Sequence, residues 1–152
     1  MLLNYPATFF LCMNCGLCCR DTSERRRRIL LTPADLDRIT EVTKLPNEKY
    51  SRSTHAAPKP FCRAMRKDSG TCVFLGSDTL CKIYDSRPII CRCYPFMVEF
   101  DDRSVSFSVS AKDCPGLGRG EKLRREFFEK LGGEVMNNLK SCEKTRSRRR
   151  SH

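Results

Sequence analysis

The chain has no tryptophan and only two histidines in 152 residues. No apolar run approaches the roughly 20 residues that a membrane-spanning helix needs. There is no phosphate loop, no dinucleotide-binding glycine pattern and no serine–histidine arrangement of the kind hydrolases use. His55 lies in a polar stretch and His152 in a basic one, and neither has a ligand partner at useful spacing. The opening segment, Met1 to Phe10, lacks a basic region, and Phe10-Leu11-Cys12 lacks the small residues of a leader cleavage site. These absences set aside nucleotide and hydrolase chemistry and favour a reducing compartment, the cytoplasm, with no membrane partner.

What the chain has is cysteine, eleven in all. Hydrophobic residues make up 39% and charged residues 31%, so apolar burial alone is a thin basis for a fold of this size. An odd cysteine count fits full disulfide pairing poorly. Metal-bound thiolates fit better, and they stabilise small domains outright. The formal net charge of +11 counts thiols as neutral. A divalent ion held by four thiolates carries about −2, so part of the basic excess balances metal–thiolate charge.

Local signals organise the chain as a single small α+β domain, stabilised by metal, with short strands and two main helices. Ile29-Leu30-Leu31 suggests a short strand. Thr32 as N-cap, Pro33 in the first turn and Asp35 three residues after the cap predict a helix over 33–44, with Leu36, Ile39 and Val42 on its buried face. Residues 46–70 read as loop. Met97 to Phe100 and Val105, Phe107, Val109 predict two strands joined near Asp101. Leu123, Phe127, Leu131, Val135 and Leu139 recur every four residues and predict a second helix over 121–140, weakened at Gly132-Gly133. The implied divisions are a cysteine-rich metal-binding unit over 1–120, a packed helix over 121–142 and a disordered basic tail over 143–152. Arg25 to Arg28 reads as part of a loop.

Four cysteines fall within eight residues, Cys12-Met-Asn-Cys15-Gly-Leu-Cys18-Cys19. Two intervening residues let both sulfurs turn onto one ion, as in zinc knuckles and ferredoxins. Cys72, Cys81, Cys91 and Cys114 bring the set to eight, the number for two four-cysteine sites or for one cluster plus a structural zinc. Adjacent side chains on an extended chain point to opposite sides, so Cys18 and Cys19 are expected to serve different sites, or one of them to pack as a small buried apolar side chain. That division puts Cys12, Cys15, Cys18 and Cys114 at one centre and Cys19, Cys72, Cys81 and Cys91 at the other. Cys62 and Cys93 read as ordinary thiols, and Cys142 as a buried small residue. Gly16 and Gly116 are expected to permit tight turns.

These residues carry a resemblance. With Leu31-Thr32-Pro-Ala-Asp35, Cys72-Val-Phe-Leu75, Cys81-Lys-Ile83-Tyr84-Asp-Ser-Arg87-Pro88, Cys91-Arg92-Cys-Tyr94-Pro95-Phe96 and Cys114-Pro115-Gly116, the chain resembles the CxxCxxCC cysteine-cluster family over about residues 9–120. This is the YkgJ-like zinc- or iron-chelating domain, which includes flagellin N-methylase. The resemblance implies binding of zinc or an iron–sulfur cluster, a 4Fe-4S cluster ahead of mononuclear iron. Its methylase members imply methyl transfer onto a protein lysine as an alternative, with a protein substrate. A zinc-stabilised module resting its basic segments on nucleic acid is a third reading. Beside the ligands, Arg87 and Arg92 can donate to thiolate or cluster sulfur. Tyr84 and Tyr94 can shield a cluster or donate a hydrogen bond, with core packing their simpler role.

Overall fold

The computed structural model describes the backbone of residues 1–150 and the side chains of residues 1–144. Helix α1 (Pro33–Thr43) begins as its sequence dictates. Thr32 Oγ1 accepts the Asp35 N–H at 3.2 Å, and Asp35 Oδ2 accepts the Thr32 N–H at 3.0 Å. This reciprocal cap satisfies two donors that a helix start otherwise leaves unpaired. Leu36 and Ile39 are buried as expected, but Val42 is 58% exposed, because the last turn runs past the core. Asp35 lies fully buried on the same helix.

Four small sheets accompany it. The largest joins β1 (Leu2–Asn4), β9 (Ser104–Val109) and β8 (Phe96–Phe100), with β1 parallel and β8 antiparallel to the central β9. The β8–β9 hairpin pairs Phe96 with Val109, Val98 with Phe107 and Phe100 with Val105. Asp101 Oδ1 closes its turn by accepting the N–H groups of Arg103 and Ser104 at 2.7 and 2.8 Å. A second sheet orders β3 (Leu30–Leu31), β5 (Arg63–Met65) and β4 (Ser51–Ser53), all antiparallel. Two pairs complete the set: β2 (Phe9–Phe10) with β10 (Leu117–Lys122), and β6 (Lys67–Asp68) with β7 (Thr71–Cys72).

The expected loop over 46–70 therefore contains helix α2 (Asn47–Tyr50) and strands β4, β5 and β6. Tyr50, Ala64 and Met65 anchor that region in the core, in elements too short to show a period.

Helix α4 (Arg125–Arg150) runs through Gly132-Gly133 without a break. A Cβ on Gly132 would stand 3.8 Å from both Phe107 and Val105, so this turn lies close against β9. The helix starts after the expected 121 because residues 117–122 pair as β10, and it continues to Arg150 where a disordered tail is expected from 143. Residues 151 and 152 lie outside the described residues. Its buried stripe is Phe128, Leu131, Val135, Asn138 and Cys142, with Phe127 half-exposed. Asn138 donates to Thr32 Oγ1 at 2.7 Å, joining α4 to the cap of α1.

Two apolar clusters result. One gathers Ile29, Leu31, Leu36, Ile39, Tyr50, Met65 and Phe74 with Cys19 and Cys72. The other gathers Ile89, Phe96, Val105, Phe107, Phe128, Leu131 and Val135 with Cys93. Among the described residues, no helix is long and apolar enough to cross a membrane.

Candidate metal centre

One cavity of about 420 Å³ is lined by all eight cysteines of the pattern. Cys62, Cys93 and Cys142 do not line it. Cys12 and Cys15 come from the segment after β2. Cys18 and Cys19 sit on a single 3₁₀ turn, Leu17–Cys19. Cys72 ends β7, and Cys81 faces Leu75 across an isolated bridge where the chain returns. Cys91 lies on helix α3 (Ile89–Cys93), and Cys114 in the turn before β10. Arg87, Arg92, Tyr84 and Tyr94 line the same cavity, so all twelve residues singled out in the sequence come together. None of the eight cysteines is in a disulfide.

The local backbone explains how remote segments meet. Gly16 has φ +75, the left-handed region, and its carbonyl accepts the Cys19 N–H at 3.0 Å, which turns the octet back on itself. Gly116 works differently. Its φ is not in that region, but a Cβ there would lie 2.3 Å from the Leu11 carbonyl oxygen. Leu11 N–H in turn donates to the Gly116 carbonyl at 3.1 Å. Only glycine lets the Cys114 turn press against the start of the cysteine octet.

The expectation that Cys18 and Cys19 point apart is not met. Their sulfurs stand 3.7 Å from each other. Alternation belongs to extended chain, whereas a 3₁₀ turn rotates only about 120° per residue, so neighbours can share one side.

Thiol chemistry follows from this pairing. The Cys19 thiol hydrogen-bonds to Cys18 and pulls the Cys18 pKa down to about 6, with Arg27 and Arg87 adding positive charge against the opposing effect of burial. The Cys19 thiol is raised, first by that same bond and then by burial. Burial also raises Cys72, Cys81, Cys91 and Cys114. Negative charge at Cys18 bears on Cys72, Cys81 and Cys91, whereas Cys114 feels Cys15 and Cys12. By proximity, Cys18 thus groups with Cys19, Cys72, Cys81 and Cys91, which share one apolar cluster.

The residues around the thiols differ in role. Arg87 stacks on the Tyr84 ring at 3.8 Å and donates to the Tyr84 carbonyl at 2.8 Å. Its charge lowers Cys18 and Cys81. Arg92 is held by Glu134 at 3.2 Å and by the carbonyls of Arg87 and Asp85. Tyr84 is 48% exposed, so core packing does not describe it, whereas Tyr94 is half-buried in the cavity wall and accepts a 3.0 Å hydrogen bond from Arg25. Arg25 and Arg27 were not singled out in the sequence, because a run of four identical charges hides which members turn inward.

The donor set has one chemical character. Among the described residues, no histidine, aspartate or glutamate lines the cavity. Apolar side chains such as Met65, Phe74 and Ile83 make up much of the remaining wall, beside Asn14, Thr79 and the two arginines and two tyrosines already named. Sulfur-only ligation suits zinc and iron–sulfur clusters and does not suit hard cations, which take oxygen. As the side chains lie, no three histidine, cysteine, aspartate or glutamate groups among the described residues converge at ligating geometry; the thiols are spread around the wall.

Fold and site together define a small cysteine-rich α+β domain built around a thiol-lined cavity. The chain belongs to the CxxCxxCC family, described as a "putative zinc- or iron-chelating domain", whose model matches residues 11–115. It is also similar to the uncharacterized protein MJ0661 of Methanocaldococcus jannaschii, 28% identical over 123 residues. That match covers 78% of this chain and 64% of the relative, so the chain spans just under two thirds of the relative's length. No solved structure matches.

Proposed function

We propose that the chain binds zinc or an iron–sulfur cluster through Cys12, Cys15, Cys18, Cys19, Cys72, Cys81, Cys91 and Cys114. The observation that carries this reading is the cavity wall, with eight thiols and no carboxylate or imidazole among its described residues. The eight cysteines come from segments spread over residues 12–114 and line one cavity beside the first apolar cluster, against which Cys18, Cys81 and Cys91 pack. A bound ion or cluster would cross-link these segments and supply much of what a thin apolar core lacks. Cys18 is the thiol poised to ionise first near neutral pH. The others release their protons on ligation, so affinity rises with pH.

Two ligand sets follow from proximity: Cys12, Cys15 and Cys114 near the Gly116 crossing, and Cys18, Cys19, Cys72, Cys81 and Cys91 against the core. The test is the zinc and iron content of anaerobically purified protein, read with its visible thiolate-to-iron absorption. Zinc or iron in stoichiometric amount, lost from chains with the eight cysteines changed to serine, supports the reading. A wild-type chain holding neither metal after reconstitution overturns it.

A further inference from the structure

The four-arginine run is not uniform in space. Arg25 and Arg27 are half-buried, Arg26 and Arg28 are exposed, and Ile29 is fully buried. Alternation of this kind is the signature of extended chain with one face inward. Arg25 Nη2 donates to the Tyr94 hydroxyl at 3.0 Å and reaches the Leu17 carbonyl at 3.5 Å. Arg27 Nε donates to the Cys18 carbonyl at 3.1 Å, on the turn that carries the paired sulfurs. Both guanidinium groups lie over the Tyr94 ring, at 5.5 and 5.1 Å from its centre. Tyr94 is itself part of the cavity wall.

Two features of this arrangement are unexplained by the protein alone. Arg25 Nε and Arg27 Nη2 are buried without a hydrogen-bond partner, which is costly for a charged group. Two cations also share one ring, and of the two guanidinium groups only that of Arg25 pairs with a carboxylate, Asp113 at 3.4 Å, while Asp21 accepts the Arg27 backbone N–H at 2.6 Å. Among the described residues, no carboxylate is within ion-pair distance of the Arg27 guanidinium. Concentrated positive charge of this kind is stable beside concentrated negative charge, and thiolate ligation of a metal supplies it.

We propose that Arg25 and Arg27, and not Arg26 or Arg28, are the counter-charges of the metal–thiolate centre, held behind the cavity wall by Tyr94. They are positioning residues: Arg27 fixes the Cys18 turn through its carbonyl and offsets the charge that ligation creates. This inference rests on the metal-binding reading above.

The experiment compares Arg25→Gln, Arg26→Gln, Arg27→Gln and Arg28→Gln in the full chain, with zinc as the probe. Zinc affinity is read by competition with a chromophoric chelator, and the fold of each zinc-free variant by circular dichroism. All four substitutions remove the same formal charge, so a bulk charge effect would weaken all four alike. The inference expects about tenfold weaker zinc binding at positions 25 and 27, the effect of one charge about 10 Å away in a protein environment. It expects wild-type affinity at 26 and 28, and recovery of most of the loss in Arg27→Lys, which keeps the charge. Equal losses at all four positions, or wild-type affinity at 25 and 27, overturn it. If Arg27→Gln fails to fold, Arg25→Gln against Arg26→Gln decides by the same criterion. A wild-type chain that binds neither zinc nor iron removes the parent reading as well, an outcome seen before any variant is measured.

Discussion

Asp35 Oδ1 accepts the backbone N–H of Ile89 at 3.0 Å. A single buried carboxylate thereby closes the cap of α1 and anchors the start of α3, the helix that presents Cys91 to the cavity. The same oxygen takes Arg38 Nη2 at 2.7 Å. Asp35→Ala leaves the N–H groups of Thr32 and Ile89 and the Arg38 guanidinium without their acceptor, and should cost about 3–5 kcal/mol, as breaking a buried pair does. Urea unfolding measures it. Asp35→Asn keeps one acceptor oxygen and should cost less, while both variants weaken metal binding through a displaced Cys91. A loss below about 1 kcal/mol in Asp35→Ala would place this carboxylate outside the structural frame.

Phe128 is fully buried, and its ring packs on Tyr5, Phe96 and Phe107 at 4.9, 5.3 and 5.3 Å. Phe128→Ala should destabilise the chain by about 3–5 kcal/mol. Phe127→Ala, at a half-exposed position, should cost clearly less. Thermal melts of the two variants side by side test the rotational setting of α4, since the opposite order would turn the helix by one residue.

The metal-free chain should lose stability as pH rises above 9. Burial pushes the Cys93 pKa up to about 12 and raises Cys72, Cys81 and Cys91 from the ordinary value of 9.0. Below pH 9 these thiols are protonated in both states. Between 9 and about 12 the unfolded chain releases protons that the folded chain retains at Cys93, so stability falls with pH. Cys18 runs the other way: its pKa is about 6 in the fold, so its contribution is complete above 9 and is lost as pH falls through 6. Urea midpoints on either side of pH 9, taken with chelator and reductant, read the slope. Cys93→Ala should flatten it without altering metal content.

Grouping by proximity predicts which cysteines fail together. Cys18→Ser and Cys91→Ser should remove the same fraction of bound metal and leave the same residual spectrum. Cys114→Ser should pair instead with Cys12→Ser. Cys62→Ser and Cys142→Ala should retain full metal content. Matching spectra for Cys18→Ser and Cys12→Ser would restore the division between Cys18 and Cys19.

Signals contained within a few residues were legible in the sequence. Thr32, Pro33 and Asp35 specify α1 because a cap is local chemistry, and the β8–β9 hairpin follows from alternation on both sides of a tight turn. The eight cysteines of the spacing pattern line one cavity. Signals that depend on local geometry misled. A four-residue repeat advances about 400°, so a stripe read every four residues drifts by about 40° per step. The observed stripe from Phe128 to Cys142 mixes steps of three and four and stays on one face. Strands of two or three residues, such as β3 and β7, have no period to detect. The Cys18–Cys19 turn is 3₁₀ only because Gly16 adopts a left-handed backbone, which the pair itself does not reveal.

The crossing at Gly116, pressed against the Leu11 carbonyl, has a consequence for biosynthesis. Cys114 reaches the cavity only through that contact, and it leaves the ribosome 102 residues after Cys12. Until Cys114 emerges, the octet lacks one wall of the cavity that surrounds it. Domains mature as units once their last structural segment emerges. Loading should then follow the emergence of Cys114, and a chain truncated between Cys91 and Cys114 should be alkylated and proteolysed faster than the full chain.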